Sequence, residues 1–303
     1  MAFDKSQASA YVENKSPELH KKAVSAPKTA KLLIENKAFQ NNVKGSHAIL
    51  KMDVDVNFQD GSSCGRTALG TVTLSDKTIT VKSIKDAQNL CPEVLQNTYY
   101  ASRLMAGDDP EAGFELSFIN EILDYRTSKI GEALETLIWQ GDTANASANL
   151  NKFDGLLKQI TASSDKVVIA ESGSDIVAKL QSVYTAMPVK VRQASDFRIF
   201  IGEDMWDDYA IALANKNIFK PVDDMKLYGT GATLVPTPGL NGTQKVVAAK
   251  ISDLHYAADL SGEESKVTMK FSMETEQYYL DYNFAVGVSA VYTNQIGIAD
   301  FAS

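Results

Sequence analysis

The chain has 303 residues, 44% hydrophobic and 22% charged, an ordinary globular composition that can build one sizeable core or two linked ones. No run approaches the roughly 18 consecutive apolar residues of a membrane helix, and the opening Met1-Ala2-Phe3-Asp4-Lys5-Ser6 lacks the charged-then-apolar layout of a secretory signal, so a soluble protein made in a cytoplasm is expected. The formal net charge is -8, yet the first 45 residues carry eight Lys against four acids (Asp4, Glu13, Glu18, Glu35), or +4, which leaves -12 for the rest.

From Met1 to about Gly45 apolar residues are sparse, with only Leu32, Leu33, Ile34 and Phe39 clustered, so this basic segment is expected to fold little on its own. It reads as an arm that lies on another acidic surface, a neighbouring subunit or nucleic acid; a solvated tail is the plainer alternative. Next, Leu50, Met52, Val54, Val56 and Phe58 alternate with Lys51, Asp53, Asp55 and Asn57, the period of a strand with one wet face. The strand ends at Asp60-Gly61-Ser62-Ser63, where Gly61 is free to take positive φ. A second extended stretch runs through Val72, Leu74, Ile79 and Val81. Together the two make a long excursion with little apolar area of its own, which needs a partner surface.

After Cys91-Pro92 and a short helical stretch with Tyr99, Tyr100 and Leu104, the sequence Asp108-Asp109-Pro110-Glu111 sets a capping acid before a first-turn proline. A long helix follows, counted conservatively from Ser117 to Gln140. Phe118, Ile122, Tyr125, Lys129, Ala133, Leu137 and Gln140 keep helical spacing, Ile119, Ile130, Leu134 and Ile138 widen the stripe, and Gly141 is expected as a left-handed stop. Its length suits a strut across the subunit.

Beyond the low-complexity link Thr143 to Ala148, strand-like and helix-like segments alternate, as in a mixed domain. Val167 to Ala170 reads as a short buried strand, Ser174 to Met187 as a helix, Phe197 to Ile201 as a strand and Asp204 to Ala214 as a helix. Pro236, Pro238, Gly239, Asn241 and Gly242 mark a loop before Val246 to Ala249. Val267, Met269, Phe271 and Met273 then alternate with polar residues, and an apolar strand runs from Phe284 to Tyr292.

Motifs of catalysis are missing: there is no GxSxG elbow, no GxxxxGK[ST] phosphate loop and no HExxH zinc pair. Gly229-Thr230-Gly231 starts like a dinucleotide loop, but Leu234 stands in the third glycine's place, so a turn is expected. His20, His47 and His255 are scattered and read as surface or satisfied histidines. Asp53-Val54-Asp55-Val56-Asn57 opens like a calcium loop, but Phe58 replaces the required glycine; a solvated strand face is expected, with a cation between subunits as the alternative. Tyr278-Tyr279-Leu280-Asp281-Tyr282 lacks interleaved basic residues for stacking on bases and reads as core or interface packing. Cys64 and Cys91 allow at most one bridge and sit in no metal-binding pattern, which favours a reducing compartment. No catalytic, cofactor or metal site is assigned.

The order of parts, with Leu137-Ile138-Trp139-Gln140-Gly141-Asp142, then Leu150-Asn151-Lys152-Phe153-Asp154-Gly155-Leu156-Leu157, the strand Phe197 to Ile201 entering Gly202-Glu203-Asp204-Met205-Trp206, and the closing Asp281-Tyr282-Asn283-Phe284-Ala285-Val286-Gly287-Val288, resembles the Hong Kong 97 fold of tailed-bacteriophage major capsid proteins. The resemblance covers most of the chain and implies an α+β fold. Its parts would be an N-terminal arm (1–45), an extended two-stranded loop (46–91), a peripheral domain with a spine helix (92–150), a mixed α/β axial domain (151–266) and peripheral return strands (267–303). It implies a structural subunit, not an enzyme, that self-assembles as hexamers and pentamers into an icosahedral head around double-stranded DNA. Implied partners are further copies of itself, a separate scaffolding protein, a portal, decoration proteins and DNA held non-specifically. Some relatives cross-link a loop lysine to an asparagine, for which Lys77 or Lys82 with Asn294 are the nameable candidates. An encapsulin-like compartment shell and a phage tail or baseplate component are the alternatives.

Overall fold

The structure, a computed structural model, describes residues 5–61, 69–91, 114–170, 172–218, 225–260 and 266–301. Two sheets are joined by one long helix. The first has the order β1 (Phe39–Asn41), β9 (Leu254–Ala258), β11 (Gln277–Ala290), β10 (Val267–Ser272), with β4 (Lys82–Leu90) along the opposite edge of β11. All its ladders are antiparallel except β1 with β9. The second has the order β5 (Val167–Ile169), β12 (Gly297–Asp300), β8 (Lys245–Lys250), β6 (Phe197–Ile201), β7 (Thr233–Pro236). A separate two-stranded ribbon pairs β2 (Ser46–Val54) with β3 (Val72–Thr80).

Helix α3 (Phe114–Gln140) has 27 residues, about 40 Å at roughly 1.5 Å per residue. The capping sequence Asp108 to Glu111, the stretch holding Tyr99, Tyr100 and Leu104, and the side chains of Phe118 and Ile119 lie outside the described residues. The helix buries one flank of the stripe that spacing suggests, the one that holds Ile130, Leu134, Leu137 and Ile138. Leu123, Ile130, Leu134, Leu137 and Ile138 are buried, whereas Ala133 and Lys129 are exposed and Tyr125 is 68% exposed. The reason is that a helix drifts away from a strict three-and-four repeat, so two stripes fit the pattern and only packing selects one.

At its C-terminal end α3 reaches the second sheet, where Trp139 meets Phe200 with ring centroids 5.2 Å apart. Gly141 ends the helix, but not by a left-handed turn: its φ is not positive, nor is that of Gly61. A Cβ on Gly141 would stand 2.5 Å from the carbonyl oxygens of both Leu137 and Phe153, so close chain approach is what requires glycine there.

The N-terminal segment departs most from expectation. It forms α1 (Lys5–Ser25) and α2 (Lys28–Glu35), and Val12, Leu19, Ala23, Val24, Ala30 and Leu33 are buried in the main core with β10, β11 and α3. Only a few apolar residues on each helix, Val12, Leu19, Ala23 and Val24 on α1 and Ala30 and Leu33 on α2, supply the buried face, which leaves the linear density low. Ser16 Oγ accepts the Val267 backbone N–H at 2.9 Å, covering the free edge of β10.

The strand from Phe284 begins earlier than apolar density suggests, at Gln277. Tyr278, Leu280, Tyr282, Phe284 and Val286 point into the core on alternate positions, and tyrosines on both faces hide that alternation in the sequence. Met273, by contrast, lies past β10 in a turn and is 87% exposed. Val168 is also 71% exposed, because β5 is an edge strand and not a buried one.

Beyond α3 and the short α4 (Leu156–Ala162), helices α5 (Ile176–Ala186), α6 (Val189–Arg192) and α7 (Glu203–Asn215) pack against the second sheet. The Asp175 side chain caps α5 by accepting the Ala178 N–H at 2.9 Å. Besides the passage through α3 from β4 to β5, the chain passes between the sheets twice more, through single turns at Ile251–Asp253 and Thr293–Gln295, and the Val291 N–H donates to Asp253 O at 2.8 Å, tying these two crossings together.

Candidate functional site

The ribbon β2–β3 is rooted in the body and bare at its far end. At the root, Ile79 and Val81 are buried with Val43 and Ala257, and the Val81 N–H donates to Gly45 O at 2.8 Å. The register pairs Met52 with Leu74 and Val54 with Val72, so these four share a face with Leu50. That face is open: Leu50 is 68% exposed, and Met52, Val54, Val72 and Leu74 are exposed with it. Farther out Val56 is exposed and Phe58 is 96% exposed. A contiguous apolar strip of this kind marks an interaction surface. The opposite face leans on the body, with Lys51 Nζ 5.3 Å from the Tyr292 ring centroid and the Met52 N–H 3.4 Å from its hydroxyl.

Asp53 and Asp55 make no ion pair among the described residues; they stand on and just beyond β2, as a solvated strand face would place them. Among the described residues no group of three His, Cys, Asp or Glu could hold a metal ion. Cys91 is a free thiol and Cys64 lies outside the described residues. Gly229 has φ +76 in a turn, as the sequence suggests.

The histidines are less ordinary than expected. His47 is exposed, but His20 is 2% exposed with Nε2 unpartnered, and His255 has a buried, unpartnered Nδ1. Burial pushes both imidazoles below their ordinary range, because the charged form would lose its hydration. Of the tyrosine run, Tyr278 and Tyr282 pack in the core. Lys77 lies on β3, Lys82 opens β4 and Asn294 sits in the second crossing; all three are exposed.

A groove runs between α3 and β4, a feature that sequence reasoning missed because its walls come from segments far apart in the chain, β4, α3, the stretch at Lys152 and Phe284 of β11. Ile84, Ile130, Leu134, Leu137 and Phe284 line a cavity of about 260 Å³, with Lys85, Arg126, Lys129 and Lys152 around it. Arg126 holds Asp86 through Nε at 2.7 Å and Nη2 at 2.5 Å. Beyond the groove, Lys158 bridges Asp142 and Asp154 at 2.7 Å each and holds the Asp142 carboxyl below its ordinary range.

No family model and no curated protein sequence matches the chain. Solved structures do. A chain of the satellite phage P4 procapsid, a structure including the size determination (Sid) protein, superposes with a TM-score of 0.62 and 11% identity over 94% of this chain and 92% of that one. A chain of the cyanophage A-1(L) capsid asymmetric unit gives 0.61 and 10% over 89% and 92%, and one from the capsid of Myoviridae phage XM1 gives 0.55 and 14% over 88% and 90%. At such identities the likeness lies in architecture, and it extends over nearly the whole chain: this protein has the Hong Kong 97-type fold of tailed-phage capsid subunits.

Proposed function

We propose that this chain is the major capsid protein of a tailed bacteriophage, a structural subunit that assembles as hexamers and pentamers into an icosahedral head enclosing double-stranded DNA. One observation carries the reading: within that fold, the β2–β3 ribbon presents an apolar face that its own chain leaves uncovered. Lying over an adjacent subunit, the ribbon would bury that face at about 25 cal/mol per Å², repeated at every interface of a symmetric assembly. The protein's work is then done by surfaces and not by a reaction.

The acidic body would be repelled by packaged DNA, so the exposed Lys15, Lys21 and Lys22 of α1 belong on the inner side or between subunits. A separate scaffolding protein, a portal and decoration proteins complete the expected partners, with assembly in the bacterial cytoplasm. Purified particles should contain nuclease-protected double-stranded DNA. Particles filled with cargo protein instead would turn the reading to an encapsulin-like shell.

A further inference from the structure

The sequence holds a single Asn-Gly pair, Asn241-Gly242, and both residues are exposed in the loop after the single turn Pro238–Leu240. Asparagine is chemically labile, most of all before glycine, which has no side chain to hinder the reaction. The Gly242 backbone nitrogen loses its proton and attacks Cγ of Asn241, and ammonia leaves as a succinimide ring closes. Water then opens the ring at either carbonyl, giving aspartate or isoaspartate. The balance is asparagine and water to acid and ammonia, with no redox change. The new N–Cγ bond takes the direction of the former N–H bond, so where that hydrogen points decides whether the ring can close.

In this fold the hydrogen points elsewhere. The Gly242 N–H donates to Asp204 Oδ2 at 2.9 Å, while Asp204 Oδ1 accepts the Met205 N–H at 2.8 Å. The other reacting group is held as well. Asn241 Oδ1 accepts the Glu203 N–H at 2.7 Å, serving the first turn of α7, whose N-cap Gly202 brings no capping side chain. The same contacts explain why a labile pair stands here: Gly242 has φ +71, a conformation that favours glycine, and residue 241 supplies α7 with a short side-chain acceptor.

From these contacts we infer that Asn241 is a modification site kept latent by Asp204, and that separating this loop from the start of α7 converts it to aspartate and isoaspartate. This chemistry belongs to the single folded chain and is independent of the shell reading. The loop is packed against the end of α3: Gln140 Nε2 donates to Gly239 O at 2.8 Å, and Gly239 lies too close to Glu135 O to carry a side chain. Isoaspartate lengthens the main chain at residue 241 by a methylene, which would shift that packing.

The test is the rate at which Asn241 converts at mildly alkaline pH, read by peptide mapping with mass spectrometry and by enzymatic labelling of isoaspartate. In the folded full-length chain the rate should be at least about tenfold below that of the same chain in guanidinium chloride, since a charge-assisted hydrogen bond must break before the ring closes. Asp204→Ala should remove most of this protection while circular dichroism shows the fold retained. If Asp204→Ala does not fold, Asp204→Asn takes its place; its amide oxygen still accepts but without charge, so conversion should rise by a smaller factor. Equal rates in folded and unfolded wild type would overturn the latency. Undiminished protection in the folded Asp204 variant would overturn the role of Asp204.

Discussion

Glu135, in the last two turns of α3, accepts two hydrogen bonds from Thr29: the backbone N–H at 2.9 Å and the hydroxyl at 2.6 Å. Thr29 lies in the first turn of α2, whose N-cap position is Pro27 and offers no capping side chain, so a carboxylate more than 100 residues away performs the capping. Trp139 Nε1 donates to the same Thr29 hydroxyl at 2.8 Å. Glu135→Ala would leave the two Thr29 donors without acceptors and should cost about 2 to 3 kcal/mol in urea denaturation.

Burial also pushes the Glu135 carboxyl above its ordinary range, more than its bonds to Thr29 pull it down. A group whose folded pKa is raised binds its proton more tightly in the folded state. Its favourable contribution is therefore complete below the unfolded value and is lost as pH rises through the folded one. Wild-type melting should fall across that window, and Glu135→Gln should flatten the dependence.

Asp253 gives a sharper case. It is 1% exposed where the chain crosses between sheets, its Oδ2 has no partner, and burial raises its carboxyl from 3.8 to about 6 even though Lys250 Nζ is 3.5 Å from Oδ1. Burial wins because one partly exposed lysine does not replace a full hydration shell. The penalty, on the order of 3 kcal/mol, should develop as pH rises from about 4 to about 6 and stay complete above that. Asp253→Asn should therefore melt higher than wild type at pH 8 and vary less over pH 4 to 6.

Gly287 faces Thr80 at the ribbon's root, and a Cβ there would stand 2.2 Å from the Thr80 carbonyl oxygen. Gly287→Ala must push β3 away from β11, at about 1 to 3 kcal/mol. Faster amide hydrogen exchange along β3 than along β10 would locate the effect at the root.

Leu134, 3% exposed on α3, should not tolerate a charge: Leu134→Asp is expected to abolish soluble subunit. Deleting Met1 to Gly45 should do the same, because α1 and α2 supply Val12, Leu19, Ala23, Val24, Ala30 and Leu33 to the main core. A soluble, folded deletion variant that merely failed to assemble would contradict that placement.

Segments with one strong local signal were legible: the strand Phe197–Ile201 has the expected bounds, and α3 and α7 lie within a few residues of theirs. The sparse N-terminal segment was not, since its helices are held by tertiary partners such as Glu135 and not by local apolar density. The ribbon was recognisable as needing a partner, because Leu50, Met52 and Val54 alternate with polar residues yet nothing nearby in sequence covers them. The cationic groove was invisible, as Lys85 and Lys129 meet only when β4 packs beside α3.

If the ribbon works as proposed, copies of this chain cover one another's exposed apolar faces. Electron microscopy of the purified full-length protein, paired with mass measurement in solution, tests this most directly. Hexameric and pentameric rings or closed shells are the predicted result; a monodisperse monomer at all concentrations would contradict the account.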